Sequence, residues 1–314
     1  MPLPTEPIGS VPRPRELIQG IQDFSAGRIS RSALNSLYGR AIRDTIRRFE
    51  ATGSPVITDG EPFRYGAFAF TYLEEAKKHT KLPLKQAVIS ASALSLLYPQ
   101  DGIPGYSREA FLEDLVGEAT TDIRRCLEEG AHIVQIDFTE GRLSVKLDPT
   151  KQLLKDFIAL NNRVLNHFSA EDRKRIGVHT CPGGDKDSTH SADVDYADLL
   201  PALFDLKVSN FYIQLASEQD RRRLLGIIKE QAKHDQRTFI GVIDPINPRV
   251  ETREEVRDQV LEAAKYIAPH QLGTTDDCGF APFSDDTSTA RDVAFEKIRA
   301  RVAGTELAAR ALGA

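Results

Sequence analysis

Short apolar runs alternate with longer stretches of helical periodicity almost to the end of the chain, and eight such pairs follow one another. The runs are residues 7–10, 54–61, 84–90, 132–137, 176–181, 210–215, 238–244 and 272–278. Most are nearly continuously apolar in their middles, as in Ile133-Val134-Gln135-Ile136 and Phe239-Ile240-Gly241-Val242-Ile243. That pattern suits strands buried on both faces, which parallel sheets have and half-solvated antiparallel sheets lack. Between them, Ile42, Ile46 and Phe49 share one helical face. The segment 107–129 is amphipathic and stops at Gly130, and Thr252 with Glu255 three residues on makes a capping box for a helix through residue 267. Helices are also expected over 72–79, 148–168, 193–206, 218–233 and 287–302. Eight strand–helix units in 314 residues predict an α/β fold, a (β/α)8 TIM barrel, with residues 1–314 forming a single domain. An open doubly wound sheet is the competing arrangement. It usually has fewer strands and a glycine-rich phosphate turn, which this sequence does not contain.

Composition narrows the partners. A net charge of −5 with no basic block gives no support to a nucleic-acid or membrane-surface role. Cys126, Cys181 and Cys278 are too few and too scattered for a disulfide framework and fit a reducing compartment. No run approaches membrane-spanning length, and the first residues carry no apolar signal core, so the expected location is cytoplasmic.

In a (β/α)8 barrel the active site lies at the C-terminal ends of the strands. Here those ends carry Ser10, Asp59, Glu61, Ser90, Asp137, His179, Cys181, Gln214, Asp244, Asp277 and Cys278. Side chains alternate along a strand, so His179 and Cys181 point the same way. An imidazole and a thiol on one face, with a third donor from a distant strand end, suit a catalytic zinc better than a finger, whose ligands come in local pairs. The plain alternatives are a core histidine, inert buried thiols, and acids that cap helices or loops. As a set, the strand ends favour a site.

These strand ends resemble the catalytic domain of the cobalamin-independent methionine synthase family. The similarity covers most of the chain. It rests on Ile8-Gly9-Ser10 with Pro12-Arg13, Asp59-Gly60-Glu61, Gln135-Ile136-Asp137, His179-x-Cys181, Gly241-Val242-Ile243-Asp244 with Pro248-Arg249-Val250-Glu251, and Asp277-Cys278-Gly279. The family's separate N-terminal domain has no counterpart, which makes this a core-type member. The resemblance implies a transferase that S-methylates a thiol, with zinc on His179, Cys181 and Cys278. The substrates it implies are homocysteine and a 5-methyl-folate or related donor, with methionine as product. By position, Ser10 and Arg13 would meet anionic groups of the substrates, Glu61 and Asp137 the ammonium, and Asp137, Asp244 and His190 would serve catalysis.

The chain departs from the family in several places. Gln214 stands where a glutamate zinc ligand is usual, and an amide is a weaker ligand. Ile246-Asn247 replaces a histidine after the seventh run, and the segment after Glu61 looks short. The tryptophan that stacks on the pterin in full-length synthases cannot be present, because the chain has none. These departures weaken methionine synthesis more than zinc–thiol chemistry. Two other readings stand beside it: addition of a zinc-bound thiolate to an epoxide or another activated carbon, with Asp137, Glu140 or Asp244 as proton donor, and a degenerate barrel that binds zinc or a small molecule without turnover.

Overall fold

The computed structural model describes residues 3–61, 68–182, 191, 193–283 and 286–313. Its centre is a six-stranded parallel sheet in sequential order: β1 (Lys85–Ile89), β2 (Ile133–Asp137), β3 (Ile176–Thr180), β4 (Asn210–Ile213), β5 (Arg237–Gly241) and β6 (Leu272–Thr275). Sequential order with every neighbour parallel requires a crossover after each strand, and helices supply the crossovers on the outside. Two more segments complete the ring. Thr5 bridges to Thr274 of β6, and Ile57 bridges to Leu84 just before β1. The two segments are joined by the Thr58 hydroxyl, which donates to the Gly9 carbonyl at 2.8 Å. The eightfold barrel read from the sequence is therefore the fold.

The first two runs are not regular strands, however. Each pairs through a single bridge. Pro4 and Pro7 flank the first bridge, and Pro55 precedes the second. Proline has no N–H to give a ladder, so these segments close the barrel by isolated contacts.

The helices follow the sequence where caps mark their starts. The Ser107 hydroxyl accepts from the Ala110 N–H and opens the helix Arg108–Glu128. The Thr252–Glu255 capping box opens Arg253–Ala263. The expected helix over 193–206 is instead a short 3-10 turn, Tyr196–Asp198, and one helical turn, Leu200–Leu203. Pro201 explains it: a proline fits the first turn of a helix and not its interior. The last helix runs Arg291–Leu312 and does not begin at 287. Asp286 accepts the Ser288 N–H at 2.8 Å, so that stretch makes a local turn first. Helices over Arg15–Ser25, Ala91–Ser95 and Glu140–Leu147 were not legible from periodicity.

Inside the barrel, Tyr212 stacks on Phe239 at 4.7 Å between Ile8 and Ile133. The larger core lies between sheet and helices, where apolar residues of both are buried together. The barrel interior is thus packed below its mouth and can be open only at the strand ends. Among the described residues no helix is long and apolar enough to cross a membrane.

Candidate active site

Two strand ends bring three soft donors together. His179 lies near the end of β3, Cys181 just follows that strand, and Cys278 follows β6. Their ligand atoms all lie within 4.8 Å of one another, and all three residues are buried. Because β2 and β3 run in register, Asp137 sits beside His179. The His179 Nδ1 is 3.3 Å from Asp137 Oδ1, and the Gln135 amide holds that same oxygen at 2.8 Å. Gln135 also donates to the Ile8 carbonyl, so it ties the first barrel segment to the carboxylate. His179 Nε2 is buried with no hydrogen-bond partner among the described residues. One ring nitrogen on a carboxylate and the other left for a ligand, next to two thiols, is the arrangement that a zinc site takes.

The electrostatics point the same way. Burial pushes the His179 imidazole toward its neutral form, but the Cys181 sulfur and the Asp137 carboxylate outweigh it and raise the ring to about 10. Cys278 is driven well above the usual thiol range by its hydrogen bond to Cys181 and by burial. A buried cluster that clings to a proton in this way is one that attracts a cation, and a metal that binds there displaces the proton.

The cluster opens on a cavity of about 810 Å3 whose wall includes Ser10, Asp59, Glu61 and Asp137. The Ser10 hydroxyl is buried and has no partner among the described residues, so it is available to a bound polar group. Asp59 accepts the Glu61 N–H at 2.8 Å, and its burial raises it to about 6. Glu61 itself has φ of 52°, an uncommon backbone for a non-glycine residue. Its Oε1 lies 1.8 Å from where a Cβ on Gly9 would stand, so only glycine there leaves room for the carboxylate. The residues Ile8-Gly9-Ser10 and Asp59-Gly60-Glu61 thus form one wall together.

Other candidates are placed elsewhere. The Arg13 guanidinium is buried and donates to the carbonyls of Phe283 at 2.6 Å and Glu61 at 2.9 Å. It braces the two loops that frame the cavity and does not belong to the cavity wall. Asp244 accepts the N–H groups of Ile246 and Asn247 in a local turn, and it too lies off the wall. Gln214 gives its amide N–H groups to Ser217 and Glu218, while its Oε1 is buried without a partner among the described residues. His190 lies outside the described residues.

Two residues named from the sequence, Asp277 as a strand-end acid and Glu140 as a candidate proton donor, act instead as supports behind the site. Asp277 accepts the backbone N–H groups of Leu215, Ala216 and Ser217 and the Ser217 hydroxyl, all at 2.7–2.8 Å. It pins the chain just before Cys278 to the loop after β4. Glu140 is buried against the hydroxyls of Ser90 and Ser92. No spacing rule announces either role. Gln135, by contrast, stands two residues before Asp137 on the same strand face, and that spacing could have revealed it.

Against known proteins, the family model described as the catalytic domain of cobalamin-independent synthase matches residues 100–291, more than half of the chain. A methionine synthase of Saccharolobus islandicus is 25% identical over 344 aligned residues, covering 97% of this chain and 94% of the relative. A methionine synthase of Sulfurisphaera tokodaii is 24% identical, covering 97% and 92%. Both aligned spans exceed the 314 residues of this chain, so the relatives carry segments it lacks. Among solved structures, a B12-independent methionine synthase from Shewanella sp. W3-18-1, in complex with selenomethionine, superposes with a TM-score of 0.75 over 99% of both chains at 18% identity. This chain belongs to the cobalamin-independent synthase catalytic-domain family. It is an enzyme of the S-methyltransferase class.

Proposed function

We propose that this enzyme is zinc-dependent and transfers a methyl group to the thiol of homocysteine, releasing methionine. The observation that carries the reading is the meeting of His179, Cys181 and Cys278 at the wall of one cavity. The name methionine synthase borne by the archaeal relatives agrees with it. His179 Nε2 and the sulfurs of Cys181 and Cys278 would hold the ion. When bound, zinc supplies a Lewis acid that keeps a substrate thiol ionised at neutral pH.

The chain's own residues have separable tasks. Asp137 fixes the tautomer and tilt of the His179 ring. The Ser10 hydroxyl offers a donor to the amino acid's carboxylate. Glu61 and Asp137 offer charge-assisted acceptors to its ammonium. In the transfer, a sulfur–methyl bond forms while the methyl group's bond to the donor's heteroatom breaks. The electron pair stays on that heteroatom, which ends protonated in place of the thiol. Holding the two reactants in line in one cavity is much of the rate enhancement available.

The test is zinc content with a zinc-edge absorption spectrum. About one zinc per chain with two sulfur neighbours, rising to three on adding homocysteine, is the expected result. Cys181→Ser and Cys278→Ser should each lose most of the metal, because a hydroxyl does not replace a thiolate at neutral pH. Stoichiometric zinc in both variants would remove the ligand assignment. Zinc indifferent to homocysteine would remove the substrate.

A further inference from the structure

Beside the three donors lies an amide with its nitrogen tied and its oxygen unused. β3 and β4 run in register, with His179 opposite Tyr212 and Thr180 opposite Ile213. Carried one step further, the register sets Gln214 beside Cys181. Tyr212 points into the barrel, where it stacks on Phe239, and Gln214, two residues on, takes the same face. The Gln214 side chain is 6% exposed and does not form part of the cavity wall, so it is not offered to a substrate.

The orientation of the amide is set by what surrounds its nitrogen. Nε2 donates to the Ser217 hydroxyl at 2.8 Å and to Glu218 Oε1 at 3.0 Å. The Ser217 hydroxyl gives its own proton to Asp277, so it has only a lone pair to offer Gln214. Glu218 is an acceptor too, and it also takes the Arg142 guanidinium at 2.7 Å. Turning the amide over would set its oxygen against two acceptors. Nε2 therefore stays where it is, and Oε1 is left on the other side, buried and with no partner among the described residues. A buried carbonyl oxygen normally meets a donor, a water or an ion.

We infer that Glu218 is a positioning residue of the metal site: it holds the Gln214 amide with Oε1 toward Cys181, and that oxygen is a fourth, uncharged donor to the ion. The inference rests on the proposed zinc site and extends its donor set. Glu218 makes the amide a better donor than it is alone, because a hydrogen bond from its N–H to an anion draws negative charge onto the oxygen. It does so without placing a carboxylate on the ion. Cys181 and Cys278, bound as thiolates, already match a divalent charge. A carboxylate in direct contact would set a third negative charge against an incoming substrate thiolate, and the amide adds none.

The test is the zinc dissociation constant, read by competition with a chromogenic chelator, together with the ligand-field bands of the cobalt(II)-substituted protein. Gln214→Leu keeps the bulk and removes the oxygen. It should weaken zinc by about tenfold or more and shift the cobalt bands. Glu218→Ala lets the amide turn and should weaken zinc by about tenfold. Glu218→Gln, which keeps an acceptor for Nε2, should recover part of that loss. Gln214→Glu combined with Glu218→Gln exchanges amide and carboxylate, keeps the hydrogen bond and the total charge, and should tighten zinc by about tenfold or more. A gain of affinity cannot come from a damaged fold. Affinities within about threefold of wild type in Gln214→Leu and in the exchange, with unshifted cobalt bands, would overturn the inference. The two readings fail separately. Stoichiometric zinc that is indifferent to all of these variants sinks only this inference. A wild-type protein that holds no zinc sinks the metal site itself, and the fourth donor with it.

Discussion

A carboxylic acid that burial holds above its usual range costs stability wherever it is ionised, and Asp59 is such a residue, with the Arg13 charge offsetting only part of the burial. It is 6% exposed, and burial raises it from about 3.8 to about 6. A folded-state value above the unfolded one means that the folded chain holds the extra proton between those two values. The stability linked to Asp59 is therefore full below pH 3.8 and falls as pH rises through 6. Asp59→Asn keeps an oxygen for the Glu61 N–H and has no charge to bury. It should gain about 1–3 kcal/mol on the wild type between pH 4 and pH 8, read from urea unfolding at both. An equal difference at the two values would show that Asp59 is neutral in place. At this scale the sequence disclosed the metal-type donors, because strand alternation puts His179 and Cys181 on one face whatever surrounds them. It did not disclose the fates of Arg13 and Asp244. Strand-end position says which mouth of the barrel a residue occupies. It does not say whether the side chain turns to the cavity or to its own loop, as Asp244 does toward Ile246 and Asn247.

Elements were legible where a local interaction defines them. The Ser107 cap and the Thr252–Glu255 box depend on residues three apart, which a sequence displays. The two segments that close the barrel depend on partners far away, Thr5 on Thr274 above all, and no local pattern separates a bridge from a strand. Helix pairing is hidden in the same way. The helix Arg291–Leu312 lies on Arg253–Ala263 at Gly304, where an added Cβ would stand 2.4 Å from the Val256 Cβ and 2.7 Å from the Arg253 carbonyl oxygen. Alanine is the better helix former by about 1 kcal/mol, so propensity alone predicts that Gly304→Ala stabilises. Contact predicts the reverse, because the carbonyl is backbone and cannot step aside. We expect a net loss of about 1–3 kcal/mol in chemical unfolding, with Val256→Ala restoring only part of it in the double variant. A more stable single variant would mean that the two helices separate easily.

The whole molecule is tied across the barrel's interior by a polar knot that joins distant parts of the chain. Lys85 of β1 is fully buried, donates to the Pro7 carbonyl at 2.9 Å, lies 3.6 Å from Glu6, and sits 3.2 Å over the Tyr212 ring of β4. The Tyr212 hydroxyl donates to the same Glu6 carboxylate at 2.5 Å. Glu6 belongs to the segment that closes the ring, so one carboxylate links the closing segment, β1 and β4. Burial brings Lys85 down to about 7 against the opposing pull of Glu6. Its unfolded value is about 10.5, so the unfolded chain holds the extra proton between pH 7 and 10.5, and this linkage makes stability rise with pH across that window. Glu6→Gln removes the opposing charge, which matters most where Lys85 carries its proton. The variant should lose up to about 1.4 kcal/mol more at pH 6 than at pH 9, because pH 6 lies only one pH unit below the folded value of Lys85 and at pH 9 the lysine of the folded protein is neutral with or without Glu6. Urea midpoints at the two pH values decide it. A loss of the same size at both would mean that Glu6 acts through its hydrogen bond to Tyr212 alone, and that the barrel is closed by shape and not by this charge.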